Sequence, residues 1–243
     1  MSARIAFGAD AAQLEQMTPP EIVRWALETH GPQTTIAFSG AEDVAVIDLA
    51  FKTGLPFEVF VLDTGRLHPE TLRFIENVRV HYSLTIDVMA PNTEPLEDFV
   101  AEHGLFSFYK DGHQACCAIR KVEPLRRALA GRPAWLTGQR RDQNPATRGA
   151  LPIYQQDPAF GTDEQPLMKL NPLAAWSSQD VWTYLHVENV PTNTLHEQGY
   201  RSIGCAPCTR PIEPDQQERE GRLWWEDDTK RECGLHVASD ADA

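Results

Sequence analysis

Thr34-Thr35-Ile36-Ala37-Phe38-Ser39-Gly40-Ala41-Glu42-Asp43 decides the fold. Its first five residues are β-branched or apolar and carry no charge, the composition of a buried strand. Ser39-Gly40 breaks that run, and Val44, Ile47, Leu49 and Ala50 then follow on a helix. Strand, glycine turn and helix in this order make half of a βαβ unit. The pattern recurs: Phe57 to Leu62 is a second strand running into Asp63-Thr64-Gly65, residues 69–79 form a helix, and Leu84 to Met89 form a third strand. Ala134-Trp135-Leu136-Thr137-Gly138 is a short strand ending in a loop. Strands alternating with helices predict an α/β fold, a parallel sheet with helices on both faces. Upstream, Pro19-Pro20 opens a helix with Ile22, Trp25 and Ala26 on one face, and Gly31-Pro32 ends it. Downstream, Ser177-Ser178-Gln179-Asp180 caps a helix through residues 181–185. Beyond Pro191 regular periodicity fades. The chain therefore reads as a core over residues 1–190, with the first cysteine pair, and a less regular segment over 191–243, within one domain.

Composition bounds the function. With 243 residues, 42% apolar and 23% charged, the chain is ordinary globular material, long enough for one large core or two small ones. No stretch reaches the roughly 20 apolar residues of a membrane helix, and Met1 to Asp10 lacks the apolar region of a secretory signal. A cytoplasmic protein with no membrane partner is expected. The net charge of −13 argues against nucleic acid, which needs a basic field. Yet Arg120 to Arg148 holds eight basic residues against Glu123 and Asp142, a local +6 that suits a small anion. Arg126, Arg127 and Arg132 within it are expected on a solvated helix face.

In open α/β sheets, small ligands bind at the carboxyl ends of strands, where turn amides and helix N-termini point outward. Residues 38–43, 62–65 and 137–140 all sit at such ends and carry glycine and hydroxyl side chains. Any one of them could be simple capping. Three together point to a nucleotide.

The five cysteines fall as Cys116-Cys117, Cys205-Ala206-Pro207-Cys208 and a lone Cys233. Four can close a metal or iron–sulfur centre and leave one thiol free. In a reducing compartment such cysteines are ligands or nucleophiles more often than disulfides. Adjacent cysteines on one helix point about 100° apart. Structural zinc prefers two Cys-x-x-Cys pairs, whereas iron–sulfur clusters accept varied spacings. On spacing alone a cluster, a zinc site and buried unligated thiols all stay open.

Two resemblances sharpen this reading. Ser39-Gly40-Ala41-Glu42-Asp43 resembles the modified pyrophosphate loop of the adenine-nucleotide α-hydrolase superfamily, whose ATP-using members usually carry a second glycine and a following serine. Ala41 and Val44 stand at those two places here, a departure that fits the branch binding an adenylated sulfate. Gly112 to Lys121, Thr137 to Gln143, Ile203 to Pro211 and Arg231 to His236 together closely resemble the assimilatory adenylyl-sulfate (APS) reductases. Leu62 to Thr71 and Arg219-Glu220-Gly221-Arg222 extend the match, which covers about residues 30–236.

The resemblance implies a pyrophosphate-loop, adenine-nucleotide α-hydrolase-like fold and a [4Fe–4S] cluster on Cys116, Cys117, Cys205 and Cys208. The related 3′-phosphoadenylyl-sulfate (PAPS) reductases generally lack the paired cysteines, so the pairs imply APS as substrate, with PAPS reduction as the alternative. Cys233 is then the nucleophile that takes the sulfur as a thiosulfonate, with His236 beside it. Lys121, Arg148, Arg219 and Arg222 would hold phosphate and sulfate oxygens, and Ser39, Gly40, Leu62, Thr64 and Gly138 would surround the nucleotide. Ten residues follow Cys233 and no second free cysteine is present, so thioredoxin or glutaredoxin is expected to release sulfite. Gly234 and the polar residues 238–243 suit a nucleophile that must move. The oligomeric state stays open, a homo-oligomer included.

Overall fold

The computed structural model of the chain describes residues 10–162 and 164–227. Cys233, His236 and the tail after them lie outside the described residues.

Six strands form one sheet: β1 (Thr35–Phe38), β2 (Glu58–Leu62), β3 (Asp87–Met89), β4 (Ala134–Leu136), β5 (Tyr154–Gln156) and β6 (Met168–Leu170). Their spatial order is β3-β2-β1-β4-β6-β5. The first five in that row run parallel, with Ile36 beside Val59 on one side and beside Leu136 on the other. β5 is antiparallel to β6 and closes the edge. The expected parallel sheet is thus present, with an antiparallel edge strand that was not foreseen. Tyr154-Gln155-Gln156 and Met168-Lys169-Leu170 are too short and polar to stand out as strands; their partners define them. β3 keeps only three of the six residues expected of it, because residues 84–86 have no ladder partner. The helix begun at Pro69 runs on to Tyr82, where Ser83 takes a left-handed conformation.

Alternation along the strands divides the core. Ile36, Phe38, Val59, Val61 and Leu136 point to the larger core, where helices Pro19–His30, Ala41–Thr53, Pro69–Tyr82 and Ser178–Val187 contribute buried residues. Phe60 and Trp135 point the other way, onto Leu125, Ala128 and Leu129 of helix Glu123–Leu129. Side chains two residues apart share a face, so one strand feeds both layers. The buried apolar stripe of Pro19–His30 includes Ile22, Val23, Ala26 and Leu27, with Trp25 half-buried at its margin. The Ser177 hydroxyl and the Asp180 carboxylate complete the capping box that opens Ser178–Val187.

The strand order places a ligand site. From β1 the chain builds outward through β2 and β3, then returns to the opposite side of β1 with β4. Where the direction reverses, the loops leaving β1 and β4 diverge and open a crevice. Residues 191–227 contain only short 3₁₀ turns and lie across that crevice: Cys205 bridges to Leu67, the Ala206 amide donates to the Arg66 carbonyl (2.8 Å), and Asn193 donates to Thr71 Oγ1 (3.0 Å). Among the described residues no helix is long and apolar enough to cross a membrane.

Candidate active site

The loop after β1 is shaped by Asp43. Its Oδ2 accepts from the Ser39 amide (2.9 Å), the Ser39 hydroxyl (2.8 Å) and the Gly40 amide (3.0 Å), while its Oδ1 accepts from the Gly138 amide (2.8 Å). Asp43 thus caps the helix that follows β1 and ties its N-terminus to the β4 loop. Burial pushes the Asp43 carboxyl up, and these hydrogen bonds pull it back. Ser39 and Gly40 line the crevice as expected, but their amides serve Asp43. Gly138 is required for room: a Cβ there would stand 2.6 Å from the Glu42 carbonyl carbon and 2.7 Å from the Asp43 nitrogen.

The loop after β2 faces the cysteines. Gly65 turns with φ +68, its amide donating to Asp63 Oδ1 (2.9 Å). Buried Thr64 brings Oγ1 to 3.3 Å from Cys205 Sγ, and its carbonyl accepts from Arg120 Nη1 (2.7 Å). Cys116 and Cys117 end a short helix, Gln114–Cys117, that widens into a π-turn over Ala118–Val122 before resuming as Glu123–Leu129. π-turns of this kind recur at functional sites. This one carries Arg120 and Lys121, both buried.

The two cysteine pairs, far apart in sequence, meet. Cys116, Cys117 and Cys205 are 8%, 7% and 5% exposed, and Cys208 is half-buried. Cys117 packs with Cys208, Leu223 and Trp225. Cys116 accepts from the Arg120 guanidinium and lies within electrostatic reach of Cys205. Burial pushes the Cys116 thiol up, Arg66 and Arg120 draw it down, and Cys205 raises it. Among the described residues no three His, Cys, Asp or Glu side chains already stand as a cage for a single metal ion. The donor set nonetheless fits a cluster: four thiols drawn from two segments, with Arg66 and Arg120 opposing the effect of burial at Cys116.

One crevice gathers the remaining candidates. Ser39, Gly40, Leu62, Thr64, Lys121, Gly138, Arg148, Arg219 and Arg222 all line it, and so does Cys205. Lys121, Arg148 and Arg222 are buried cations. Arg222 Nη1 donates to the Ile203 carbonyl (3.0 Å) and the Ser202 hydroxyl (3.3 Å), and its guanidinium lies flat on Gly204, where a Cβ would come within 2.5 Å. Lacking a side chain at 204, the chain seats this arginine directly beside Cys205. Arg148 donates to Gln143 Oε1.

The basic island separates by partner. Arg127 pairs with Glu123 and exposed Arg126 lies over the Phe160 ring, so these two form the anticipated helix face, whereas Arg132 lies past the end of that helix and pairs, half-buried, with Glu58 of β2. Arg140 is only 1% exposed but donates to Glu42 (2.9 Å) and Glu218 (2.6 Å), a buried clasp between the β1 loop, the β4 loop and the C-terminal segment. Burial raises the Glu218 carboxyl, with Glu42 adding to the rise and Arg140 opposing it. Glu218, Asn193 and His196 line the crevice without having been singled out in the sequence, beside Glu42 of the loop over residues 38–43. His196 gives its Nδ1 to the Tyr200 carbonyl (2.7 Å), and burial holds its imidazole below the usual value. Only packing brings Glu218, Asn193 and His196 here, and no local pattern marks them.

Comparison with known proteins agrees with this geometry. A phosphoadenosine phosphosulfate reductase domain model matches residues 33–211. The chain is 55% identical over 229 residues to the adenosine 5'-phosphosulfate reductase of Pseudomonas aeruginosa (strain LESB58), covering 94% of this chain and 86% of that one. It is 55% identical over 229 residues to the chloroplastic 5'-adenylylsulfate reductase 1 of Arabidopsis thaliana, covering 93% of this chain and 49% of the plant protein. The chain thus spans about half the length of that plant relative. Among solved structures, Candida auris PAPS reductase in a phosphate complex superposes with a TM-score of 0.69 at 28% identity, covering 84% of this chain and 96% of that chain. Yeast FAD synthetase superposes at 0.51 with 18% identity, covering 82% of this chain and 67% of that one, a likeness of fold that agrees with the adenine-nucleotide α-hydrolase-like architecture. With the domain model spanning the sheet and both cysteine pairs, this chain belongs to the phosphoadenosine phosphosulfate reductase family.

Proposed function

We propose that the protein reduces adenosine 5'-phosphosulfate to sulfite and AMP in sulfate assimilation, with Cys233 as nucleophile and thioredoxin or glutaredoxin as reductant. One observation carries the reading: nine residues from both sides of the strand-order reversal line a single crevice together with Cys205. The names of the relatives at 55% identity support APS as the substrate.

The chain's own groups divide the work. Asp43 holds the β1 loop against the Gly138 amide, which fixes the two loops that would flank the nucleotide. Lys121, Arg148, Arg219 and Arg222 supply the cations for that mixed anhydride, and buried guanidinium groups bind such oxygens strongly. The Cys233 thiolate attacks sulfur, the S–O bond to AMP breaks, and a cysteine thiosulfonate remains. A dithiol then supplies the two electrons that release sulfite. Cys116, Cys117, Cys205 and Cys208 would hold a [4Fe–4S] cluster, which when bound adds charge beside the crevice and ties the two cysteine segments together.

The test is anaerobic turnover of APS against PAPS with reduced thioredoxin, with iron counted on the same sample. Expected are sulfite from APS, about four irons per chain and no sulfite from Cys233→Ser, which keeps its iron. Cys205→Ser is expected to lose the iron. Wild-type sulfite production by Cys233→Ser would overturn the mechanism, and preferential turnover of PAPS would overturn the substrate.

A further inference from the structure

Beside the cysteine pairs the surface carries an aromatic patch that the crevice chemistry does not use. Leu105, Phe106, Tyr109 and Trp224 are 55%, 59%, 42% and 39% exposed. Phe106 stacks on Tyr109 with centroids 6.4 Å apart, and Tyr109 stands 6.2 Å from Trp224, so the rings are contiguous. The patch is anchored from below: Trp225 Nε1 donates to the Phe108 carbonyl (3.1 Å), and Tyr109 donates to the carbonyl of Pro207 (2.6 Å), inside Cys205-x-x-Cys208. Two cations flank it, Arg66 over Phe106 (5.6 Å) and exposed Arg210 over Trp224 (5.0 Å). Exposed Lys110 is next in sequence to Tyr109. Tryptophan, tyrosine, phenylalanine and arginine are the residues over-represented at protein–protein contacts and their hot spots, and a contiguous exposed apolar patch marks an interaction site.

We propose that this patch docks the protein dithiol that regenerates Cys233, a small protein presenting an apolar face around its cysteines with acidic residues at the rim. The inference rests on the thiosulfonate reading above. Its occupant follows from covalent geometry and charge. Cys233 is nine residues beyond Trp224, and nine extended residues span roughly 30 Å, so the connection alone keeps it within that reach of the patch. Arg66 over Phe106 and Arg210 over Trp224 set a cation against two of the patch's rings on a chain of net charge −13, which favours a partner carrying acidic residues opposite them. Once docked, one partner thiolate attacks Cys233 Sγ and the bond from Sγ to the sulfonate sulfur breaks. Sulfite leaves with the electron pair and a mixed disulfide forms. The partner's second thiol then attacks its own half of that disulfide, the Cys233 thiolate returns, and the partner departs oxidised by two electrons.

The experiment uses the full chain and two reductants, thioredoxin and dithiothreitol, with APS saturating. Phe106→Ala and Trp224→Ala are expected to lower kcat/KM for thioredoxin by about tenfold or more, with dithiothreitol-supported turnover and the KM for APS unchanged; Trp224→Phe recovers most of the loss. Equal loss with both reductants overturns the proposal, because the patch would then serve the chain's own C-terminal segment. No loss with either overturns it also, as does a wild-type dimer that Phe106→Ala dissociates while thioredoxin kinetics stay normal. Absence of wild-type APS turnover with either reductant overturns the underlying reading and the docking with it.

Discussion

Gly138→Ala tests whether the β1 and β4 loops meet as closely as the crevice requires. A Cβ at 138 would stand 2.5 Å from Glu42 Cβ, 2.6 Å from the Glu42 carbonyl carbon and 2.7 Å from the Asp43 nitrogen. Two of these three atoms are backbone, so no side-chain rotation relieves the overlap. Restoring a tolerable 3.4 Å to the Glu42 carbonyl carbon means separating the loops by 0.8 Å, the difference between 3.4 and 2.6 Å. That movement stretches the 2.8 Å bond from the Gly138 amide to Asp43 Oδ1. Overpacking costs about 1–3 kcal/mol, and weakening a hydrogen bond to a charged group costs about 1.5–3 kcal/mol. The two overlap, since opening the loop relieves the first by incurring the second, so a net loss of about 3 kcal/mol is expected. The assay is anaerobic urea unfolding at neutral pH paired with calorimetric AMP binding. AMP affinity should fall at least about tenfold, because the displaced loop lines the crevice on both sides. A stability change under about 1 kcal/mol with unaltered AMP affinity would refute the reasoning.

Two further outcomes follow from the buried charges. Arg140→Met leaves Glu42 and Glu218 facing each other without their shared guanidinium, and removing one partner from such a buried set costs about 3–5 kcal/mol. Glu218→Gln in that background should recover part of the loss in a double-mutant cycle, and strictly additive effects would show that no clasp exists. His196 titrates below its ordinary value of 6.5 because burial disfavours the imidazolium, so the unfolded chain takes up the proton first. Its contribution to stability is complete above pH 6.5 and declines as the pH falls from 6.5 through the folded value. His196→Gln should flatten the acid limb of the urea midpoint against pH, and an unchanged slope would place the acid sensitivity elsewhere.

Much of the architecture is local in origin and therefore legible from residue order. Apolar runs such as Ile36 to Phe38, followed by Ser39-Gly40 and a helical pattern, specify strand, turn and helix through contacts within a few residues. The same locality marked the strand-end loops and the cysteine pairs. β5 and β6 escaped notice because three polar or isolated apolar residues become strands only when a neighbour supplies their hydrogen bonds. The basic island was visible as charge, but its sorting was not. Arg132 and Arg140 are both arginines of the same stretch; one pairs with Glu58 and the other is buried against Glu42 and Glu218.

The sequence by itself determined the alternating α/β plan, the glycine loops and the grouping of four cysteines plus one, since each depends on residue type and short spacing. Tertiary structure alone decided that Asp43 of the β1 loop holds the Gly138 amide of the β4 loop, that Arg140 clasps two distant carboxylates, and that the aromatic surface of residues 105–109 joins Trp224. Each of these joins segments far apart along the chain. Partners at such distances are selected by packing, burial and the need to satisfy buried charge, and no spacing rule encodes them.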